Sequence, residues 1–195
     1  KLQGKVVRLT EDGKVPPDNP FVNTAGARPE IWSYGIRNPQ GMAMNPWSDT
    51  LWLNEHGPRG GDEINIPEKG KNYGWPLATH GINYSGLKIP EAKGEHVEGT
   101  EKPLFVWKLS PAVSGMAFYN SDVFPQWKNK LFIGALKEKD VIVLSVKGNS
   151  VTEDGRILGD KDQRIRDVRV GPDGYLYVLT DETDGQLLKV SPSGS

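Results

Sequence analysis

Cysteine is absent from this 195-residue sequence, which excludes disulfide bonds, thiolate nucleophiles and zinc sites built on cysteine. Neither sign of charge is in excess: 24 basic and 25 acidic side chains leave a formal net charge of −1, so charge gives no reason to expect nucleic acid as a partner. No apolar run approaches the roughly 20 residues that a membrane-spanning helix needs. The sequence therefore predicts no nucleic-acid partner and no membrane insertion.

Glycine and proline are abundant, with 23 and 15 residues, and predict many turns and mostly β structure. The hydrophobic content of 36% is enough for the core of one ordinary domain. The chain opens with Lys1-Leu-Gln-Gly-Lys-Val-Val, an alternation typical of a strand, so we expect no signal peptide in it.

Three stretches of the chain repeat one order of short apolar runs separated by polar turns. The runs begin at Gly41, Leu51 and Glu63; at Gly115, Leu131 and Val141; and at Asp167, Leu176 and Leu187. Residues 171–174, Gly-Pro-Asp-Gly, form a strong hairpin signal between two runs of the third copy. Four-stranded repeats of this kind are typical of β-propeller blades, so the sequence predicts an all-β propeller.

The predicted blades cover 30–67, 104–146 and 151–191, with fourth strands at 31–34, 104–107 and, more weakly, 155–158. Residues 1–9 resemble the closing strand 186–190 and are interpreted as the last strand of a preceding blade. About three blades are thus expected. Because propellers close with four to eight blades, we expect a missing N-terminal half, or a second copy, to cover the open blade faces.

Residues 68–103 form the longest insertion and are expected to build one binding face. Just before it, Gly35 and Gly41 flank a loop that displays Arg37 and Asn38 at the end of a strand. The segment Glu55-His56-Gly57-Pro58 predicts a tight turn whose carbonyl oxygens are free to face a ligand.

Five motifs carry a resemblance to a known family. They are SYGIRNPQGMA (33–43), NEHGPRGGDEIN (54–65), KNYGWP (71–76), GALK (134–137) and QRIRDVRVGPDGYLYVLTD (163–181). Together they are similar to the glucose/sorbosone dehydrogenase family, along essentially the whole chain. The resemblance implies a six-bladed propeller of which residues 1–195 form the C-terminal half. It also implies a periplasmic quinoprotein that oxidises the C1 hydroxyl of an aldose sugar to a lactone, passing electrons through pyrroloquinoline quinone (PQQ) to an external acceptor.

The resemblance also implies which residues meet the cofactors. Because PQQ is a planar tricarboxylate, its site needs several cations. The residues implied for it are Arg37, Asn38, Tyr84, Ala135, Leu136, Lys137, Arg164, Ile165 and Arg166, with His56 and Trp107 as further neighbours. For calcium, which prefers oxygen ligands, the implied residues are Gly57 and Pro58 through backbone carbonyls, and Glu63 and Tyr73 at a second position.

The family's general base, a histidine, has no counterpart in these residues, so the resemblance implies that the chain alone contains no catalytic residue and is inactive. His56 is interpreted as a cofactor neighbour and not as a substitute base. His80 and His96 lie in polar loop sequence and receive no role.

Other interpretations stay open from the residues themselves. Arg164 and Arg166 could form a solvated ion-pair ladder with Asp162 and Asp167, and Trp107 could pack between blades. At the level of the whole chain, the alternatives are a propeller that binds sugars or proteins without redox chemistry, and a calcium-dependent lactonase-like propeller. A binding module predicts that the cationic side chains are dispersed, whereas the dehydrogenase predicts that they lie together.

Overall fold

The computed structural model describes residues 1–192, and these residues form an all-β structure in which the only helical segments are two short 3-10 turns, Pro125–Trp127 and Gly159–Lys161. The strands are β1 (Lys5–Val7), β2 (Ile31–Tyr34), β3 (Pro39–Asn45), β4 (Thr50–Glu55), β5 (Asp62–Asn65), β6 (Phe105–Trp107), β7 (Val113–Tyr119), β8 (Lys130–Ala135), β9 (Val141–Lys147), β10 (Ser150–Ile157), β11 (Ile165–Val170), β12 (Leu176–Thr180) and β13 (Leu187–Val190). Over this range, no helix has the length and apolarity to cross a bilayer.

All strand pairs are antiparallel and connect neighbours in sequence, which gives four sheets. Strands β3 to β6 form one four-stranded sheet and β7 to β10 another; β11 to β13 form a three-stranded sheet, and β1 pairs with β2 alone. The predicted all-β class is confirmed, and the sheets have the meander order of propeller blades. The number of blades in a closed ring stays a prediction.

The β7–β10 sheet lies between its two neighbours, and its side chains alternate between two cores. Leu131, Ile133 and Ile142 pack toward the β3–β6 sheet, where Trp52 and Ile64 meet them. The residues between them point the other way and pack toward the β11–β13 sheet; they are Phe132, Val141 and Val143. Because successive residues of a strand point to opposite faces, a sheet buried on both faces reads as a continuous apolar run.

The innermost strands of these sheets touch. Asn54 is fully buried, accepts a hydrogen bond from the Gly41 N–H (2.9 Å) and donates one to the Ser114 carbonyl (2.9 Å), which joins β3 and β4 to β7. On the other side, Ser114 Oγ donates to the Ile165 carbonyl at 2.7 Å. Polar bonds as well as apolar packing therefore fix the position of each sheet relative to the next.

Three predicted strand placements differ from the structure. The weaker run at 155–158 was expected in the third blade, 151–191, but it lies in Ser150–Ile157, which pairs with β9 and completes the β7–β10 sheet. The run at 104–107 was expected to open the second blade, but Phe105–Trp107 pairs with β5 and completes the first four-stranded sheet. The run at 31–34 was expected in the first blade, yet it pairs with β1. The runs at 31–34 and 104–107 are short and apolar, and only the path of the connecting loops decides which neighbouring sheet they join. By contrast, the predicted turn at 171–174 does join β11 to β12, with the Gly171 N–H donating to the Tyr175 carbonyl at 2.8 Å.

Candidate functional site

Three sheets present the same edge to one side of the molecule. Strands β3, β7 and β11 begin at this edge, and β4, β8 and β12 end there, because each sheet is an antiparallel meander. The hydrogen bonds through Ser114 hold the three strand starts side by side. Most of the residues predicted for the cofactors lie in the loops at this edge, so the fold brings together segments that are far apart in the sequence.

Arg37 and Asn38 precede β3 and are anchored by Glu55, the last residue of β4. The Glu55 carboxylate accepts the backbone N–H groups of Arg37 (2.6 Å) and Asn38 (3.2 Å). The Arg37 guanidinium donates through Nη1 to the carbonyls of His56 (3.1 Å) and Gly57 (2.9 Å), and lies 5.2 Å from the Trp75 ring centroid. Asn38 is exposed. The structure thus holds Arg37 rigidly at the edge through contacts on several sides.

The turn that begins at His56 is tied to the next sheet. His56 Nε2 lies 2.5 Å from the Val113 carbonyl, and Asp62 accepts the N–H groups of Gly57 (3.2 Å) and Val113 (3.1 Å). A Cβ on Gly57 would lie 2.1 Å from the Gly60 carbonyl oxygen, so only glycine fits this turn. The imidazole is engaged with the backbone, which agrees with a role for His56 as a neighbour of the site and not as a base.

Two carboxylates face each other below this turn. Glu55 and Glu63 are opposite each other across β4 and β5, and the Asn65 amide donates to both, at 3.0 and 3.2 Å. Burial raises the pKa of both carboxyl groups above the ordinary value, and the charge of Glu55 raises that of Glu63 further. The surroundings therefore disfavour negative charge on this pair, which holds protons more readily than ordinary glutamates do.

A cavity of about 20 Å³ adjoins this pair. Its lining includes all four residues predicted for calcium, together with two charged residues of the site. They are Gly57, Pro58, Glu63 and Tyr73, with Arg37 and Glu55. Within residues 1–192 no group of three or more His, Cys, Asp or Glu side chains has a metal-binding arrangement. Any cation here would therefore be held by two carboxylates together with carbonyl oxygens, which is a donor set that suits calcium.

The loop after β8 reaches the same edge. Leu136 N–H donates to the Ala112 carbonyl (2.8 Å), next to the start of β7, and the Leu136 carbonyl accepts from Arg164 Nη1 (3.4 Å). The side chains of Ala135 and Leu136 are buried, so these residues would contact a ligand through backbone atoms. Lys137 is exposed, and its ammonium lies 3.3 Å from the Ser110 carbonyl and 3.1 Å from the Glu138 carboxylate.

Arg164 and Arg166 flank Ile165 at the start of β11 and share a single partner, Asp181. Arg164 donates to Asp181 through Nε (3.2 Å) and Nη2 (3.0 Å), and Arg166 through Nε (3.2 Å) and Nη2 (2.8 Å). The two guanidinium groups hold the pKa of Asp181 below its usual value, Arg166 contributing more. The side chain of Ile165, the residue between them in the sequence, is fully buried in the core.

The ion pairs of Arg164 and Arg166 with Asp162 and Asp167, considered from the sequence, do not form in the structure. Asp162 pairs with Lys139 at 2.8 Å, and Asp167 with Arg169 at 3.1 Å, so neither binds Arg164 or Arg166. The two arginines converge on one carboxylate at the candidate site instead.

A protein-family model described as Glucose / Sorbosone dehydrogenase matches residues 1–189. The chain belongs to this family. It is 81% identical over 192 residues to aldose sugar dehydrogenase YliI of Escherichia coli (strain K12), which covers 98% of this chain and 52% of the relative. It is 30% identical over 239 residues to quinoprotein glucose dehydrogenase B of Acinetobacter calcoaceticus, covering 95% of this chain and 49% of that protein.

Solved structures agree with this membership of the glucose/sorbosone dehydrogenase family. The crystal structure of the soluble aldose sugar dehydrogenase from Escherichia coli in the apo-form matches with a TM-score of 0.97 and 80% identity over 99% of this chain and 56% of that chain. The PQQ-bound form of aldose sugar dehydrogenase from Streptomyces coelicolor matches with a TM-score of 0.73 and 28% identity over 97% of this chain and 52% of that chain. The chain spans about half the length of these relatives.

Two residues that the family resemblance implied for PQQ stand apart from the others. Tyr84 is 70% exposed, in a loop whose residue Ile82 pairs with Arg59 beside the Pro58 turn. Trp107 is only 6% exposed, packs in the core and donates its indole N–H to Glu153 at 2.8 Å. The sequence left open whether Trp107 meets the cofactor or packs between blades. The structure shows the Trp107 side chain packed in the core.

Sequence reasoning missed Glu55 and Asp181, which hold the arginines of the site. Counting residues back from the hairpin turn at 171–174 places Asp181 opposite Ile165 and so near both arginines. A bulge between Ile165 and Asp167 shifts this register by one residue and pairs Ile165 with Thr180, so the contact itself needed the structure. For Glu55 no comparable signal exists, because its partners are backbone N–H groups that precede another strand.

Proposed function

We propose that this chain supplies the quinone-binding part of a PQQ- and calcium-dependent aldose sugar dehydrogenase. In this proposal the whole enzyme oxidises the C1 hydroxyl of an aldose to the lactone and passes the electrons to an external acceptor. Family membership supports oxidoreductase chemistry on sugars, and relatives named as quinoproteins or solved with PQQ bound support the cofactor. The periplasm as compartment rests on the family resemblance.

One observation carries the proposal, namely the shared edge of three sheets. It displays Arg37, Lys137, Arg164 and Arg166, and the structure links their loops by a continuous run of hydrogen bonds. These four cations, of which Arg164 and Arg166 share Asp181 and Lys137 contacts Glu138, offer charged donors to the three carboxylates of PQQ. A binding module without redox chemistry predicts dispersed cations, and a lactonase-like propeller shares calcium but does not need this cluster, so the edge favours the dehydrogenase.

The residues of this chain fit both cofactors. Bound PQQ would supply the two-electron acceptor for sugar oxidation. The arginines would bind its carboxylates in fixed orientations, and Asn38 would offer an exposed amide beside them. The carbonyls of Gly57 and Pro58 would hold calcium at one position, where the Gly57 carbonyl also accepts from Arg37. Glu63 and Tyr73 would hold it at a second position.

The proton of the sugar hydroxyl needs a general base. His56 is engaged with the Val113 carbonyl, so we place the base outside these 195 residues, in the part of the relatives that this chain does not cover. The chain is accordingly proposed as half of a six-bladed propeller, completed by the rest of the polypeptide or by a second copy.

The proposal is tested by adding PQQ, calcium, glucose and a dye acceptor to the 195-residue chain and, in parallel, to the whole protein. We expect saturable, PQQ-dependent dye reduction by the whole protein and none by the chain alone. Turnover by the chain at a rate comparable to that of the whole protein would refute the placement of the base. A whole protein that neither binds PQQ nor oxidises aldoses would refute the proposed function itself.

A further inference from the structure

The contact of Arg164 and Arg166 with Asp181 has a geometry that matters for anion binding. Both guanidinium groups use the same edge, formed by Nε and Nη2, to reach the carboxylate. A guanidinium is planar and carries five N–H donors in a fixed fork. When one edge is bound to Asp181, the donors of the opposite side point away from it in a defined direction. On Arg164, Nη1 also donates to the Leu136 carbonyl at 3.4 Å and keeps a second N–H for a ligand.

Asp181 is itself well fixed. Its backbone N–H donates to the Arg164 carbonyl at 2.7 Å, and the neighbouring Glu182 accepts the Arg164 N–H at 2.9 Å. The Asp181 carboxylate is therefore held in place for as long as strands β11 and β12 remain paired. Without it, two guanidinium groups two residues apart on one strand would repel each other and sample many rotamers.

Folding stability is a weak explanation for this arrangement. The side chains of Arg164, Arg166 and Asp181 are 42%, 41% and 31% exposed, and ion pairs with this exposure contribute little to stability because water and salt screen them. What the contact does fix is the direction of the two cations at the candidate site.

We propose that Asp181 is a positioning residue for PQQ, which aligns Arg164 and Arg166 so that their free donors meet the carboxylates of the quinone. This inference rests on the proposed function. Asp181 is an anion and would lie near a bound trianion, so electrostatic repulsion alone would make its removal strengthen PQQ binding. We expect its removal to weaken binding, because the loss of arginine alignment outweighs the loss of repulsion.

The experiment measures the dissociation constant of PQQ for the whole apo-protein, by fluorescence titration in excess calcium at physiological ionic strength. We expect Asp181→Asn to raise this constant about tenfold, the scale of one charge-assisted hydrogen bond. Asp173→Asn is the matched control, because Asp173 is an exposed, lysine-paired carboxylate at the other end of the same sheet; we expect less than a twofold change.

A double-mutant cycle separates positioning from a general structural effect. If Asp181 acts through Arg166, the effects of Asp181→Asn and Arg166→Gln are less than additive. Asp181→Glu keeps the charge but shifts the carboxylate, so it should still weaken binding about threefold, and it serves if the asparagine variant does not fold. An unchanged or smaller dissociation constant in folded Asp181→Asn or Asp181→Glu protein, or full additivity in the cycle, would overturn the inference while leaving the proposed function intact. Absence of saturable PQQ binding by the unmodified protein would overturn both.

Discussion

Arg37 shows how a single side chain is prepared for a ligand. Its backbone N–H is held by Glu55 and its guanidinium by two carbonyls and the face of Trp75. Little rotamer entropy is therefore left to lose when an anion binds. This preorganisation distinguishes Arg37 from an ordinary surface arginine.

Replacing Arg37 by glutamine should weaken PQQ binding by the whole protein at least about tenfold, since it removes a charged donor held in place. Arg8→Gln is the control, because Arg8 also lies over a tryptophan ring, Trp32, at 5.1 Å, but is part of an exposed ion pair with Asp18. Titration of both variants with PQQ checks this. Equal losses in the two would show that the edge position of Arg37 has no special role.

The Glu55–Glu63 pair predicts how stability depends on pH. Both pKa values are raised in the folded state, so the folded protein holds more protons than the unfolded protein above the ordinary glutamate pKa of about 4.3. Stability from this pair is full at acidic pH and is lost as pH rises. We expect the melting temperature in a calcium chelator to fall between about pH 5 and 8, as the pH rises through the folded-state pKa values of about 7 for Glu55 and about 8 for Glu63.

Calcium should reverse this trend, because a bound cation stabilises the deprotonated carboxylates. Melting curves with and without calcium across this range check the prediction, and Glu63→Gln should flatten the pH dependence. A melting temperature in chelator that rises steadily with pH would contradict it.

At the scale of elements, strand β7 joins the molecule together. All seven of its residues are buried, and its start is bonded to β4 through Asn54 and to β11 through Ser114. The inter-sheet bonds that position the candidate site are therefore inside the core, where a lost partner is costly.

Asn54→Leu tests this directly. It would leave the Gly41 N–H and the Ser114 carbonyl buried without their partner, at a cost of about 2–4 kcal/mol for the two groups. Asn120→Leu, at an exposed position after β7, is the control and should change stability little. Chemical denaturation of both variants measures the difference. A loss no greater than that of the control would mean that water replaces the lost bonds.

Gly115→Ala tests the close approach of β7 and β11. An added Cβ would lie 1.7 Å from Asp167 Oδ1 and 2.7 Å from its Cα, so the two strands must separate. We expect a destabilisation of about 1–3 kcal/mol or more, from overpacking. Gly159→Ala, where the nearest atom is 3.9 Å from the new Cβ, should be close to neutral in the same thermal unfolding assay. If the two alanine variants melt alike, the strands are not packed as closely as the structure indicates.

At the scale of the whole molecule, the sheets are unequal. Two have four strands, β1–β2 has two and β11–β13 has three, and apolar side chains are exposed on the incomplete sheets, including Val7 (43%), Leu179 (43%) and Leu187 (69%). Open strand edges and exposed apolar surface favour association with further chain. This agrees with the proposal that the residues form half of a ring.

We therefore expect the isolated 195-residue chain to self-associate. When it is co-expressed with the part of the Escherichia coli relative that it does not cover, we expect a one-to-one complex. Light scattering after size-exclusion chromatography measures both masses. A chain that stays monomeric and melts cooperatively would show that it needs no further strands.

The sequence alone determined the all-β class, the repeat, the 171–174 hairpin and the family motifs, because alternation and turn chemistry are local properties of the chain. It also placed Arg37 at the end of a strand. It did not determine which sheet the short runs at 31–34 and 104–107 join, since a three- or four-residue apolar strand fits either neighbour.

Only the tertiary structure decided which groups the arginines bind. Asp181 lies 15 residues from Arg166, and Glu55 lies 18 residues from Arg37, so their pairing depends on strand register and on a bulge in each hairpin. The burial that raises the pKa of Glu55 and Glu63, and that places Trp107 in the core, likewise arises only when the sheets stack face to face.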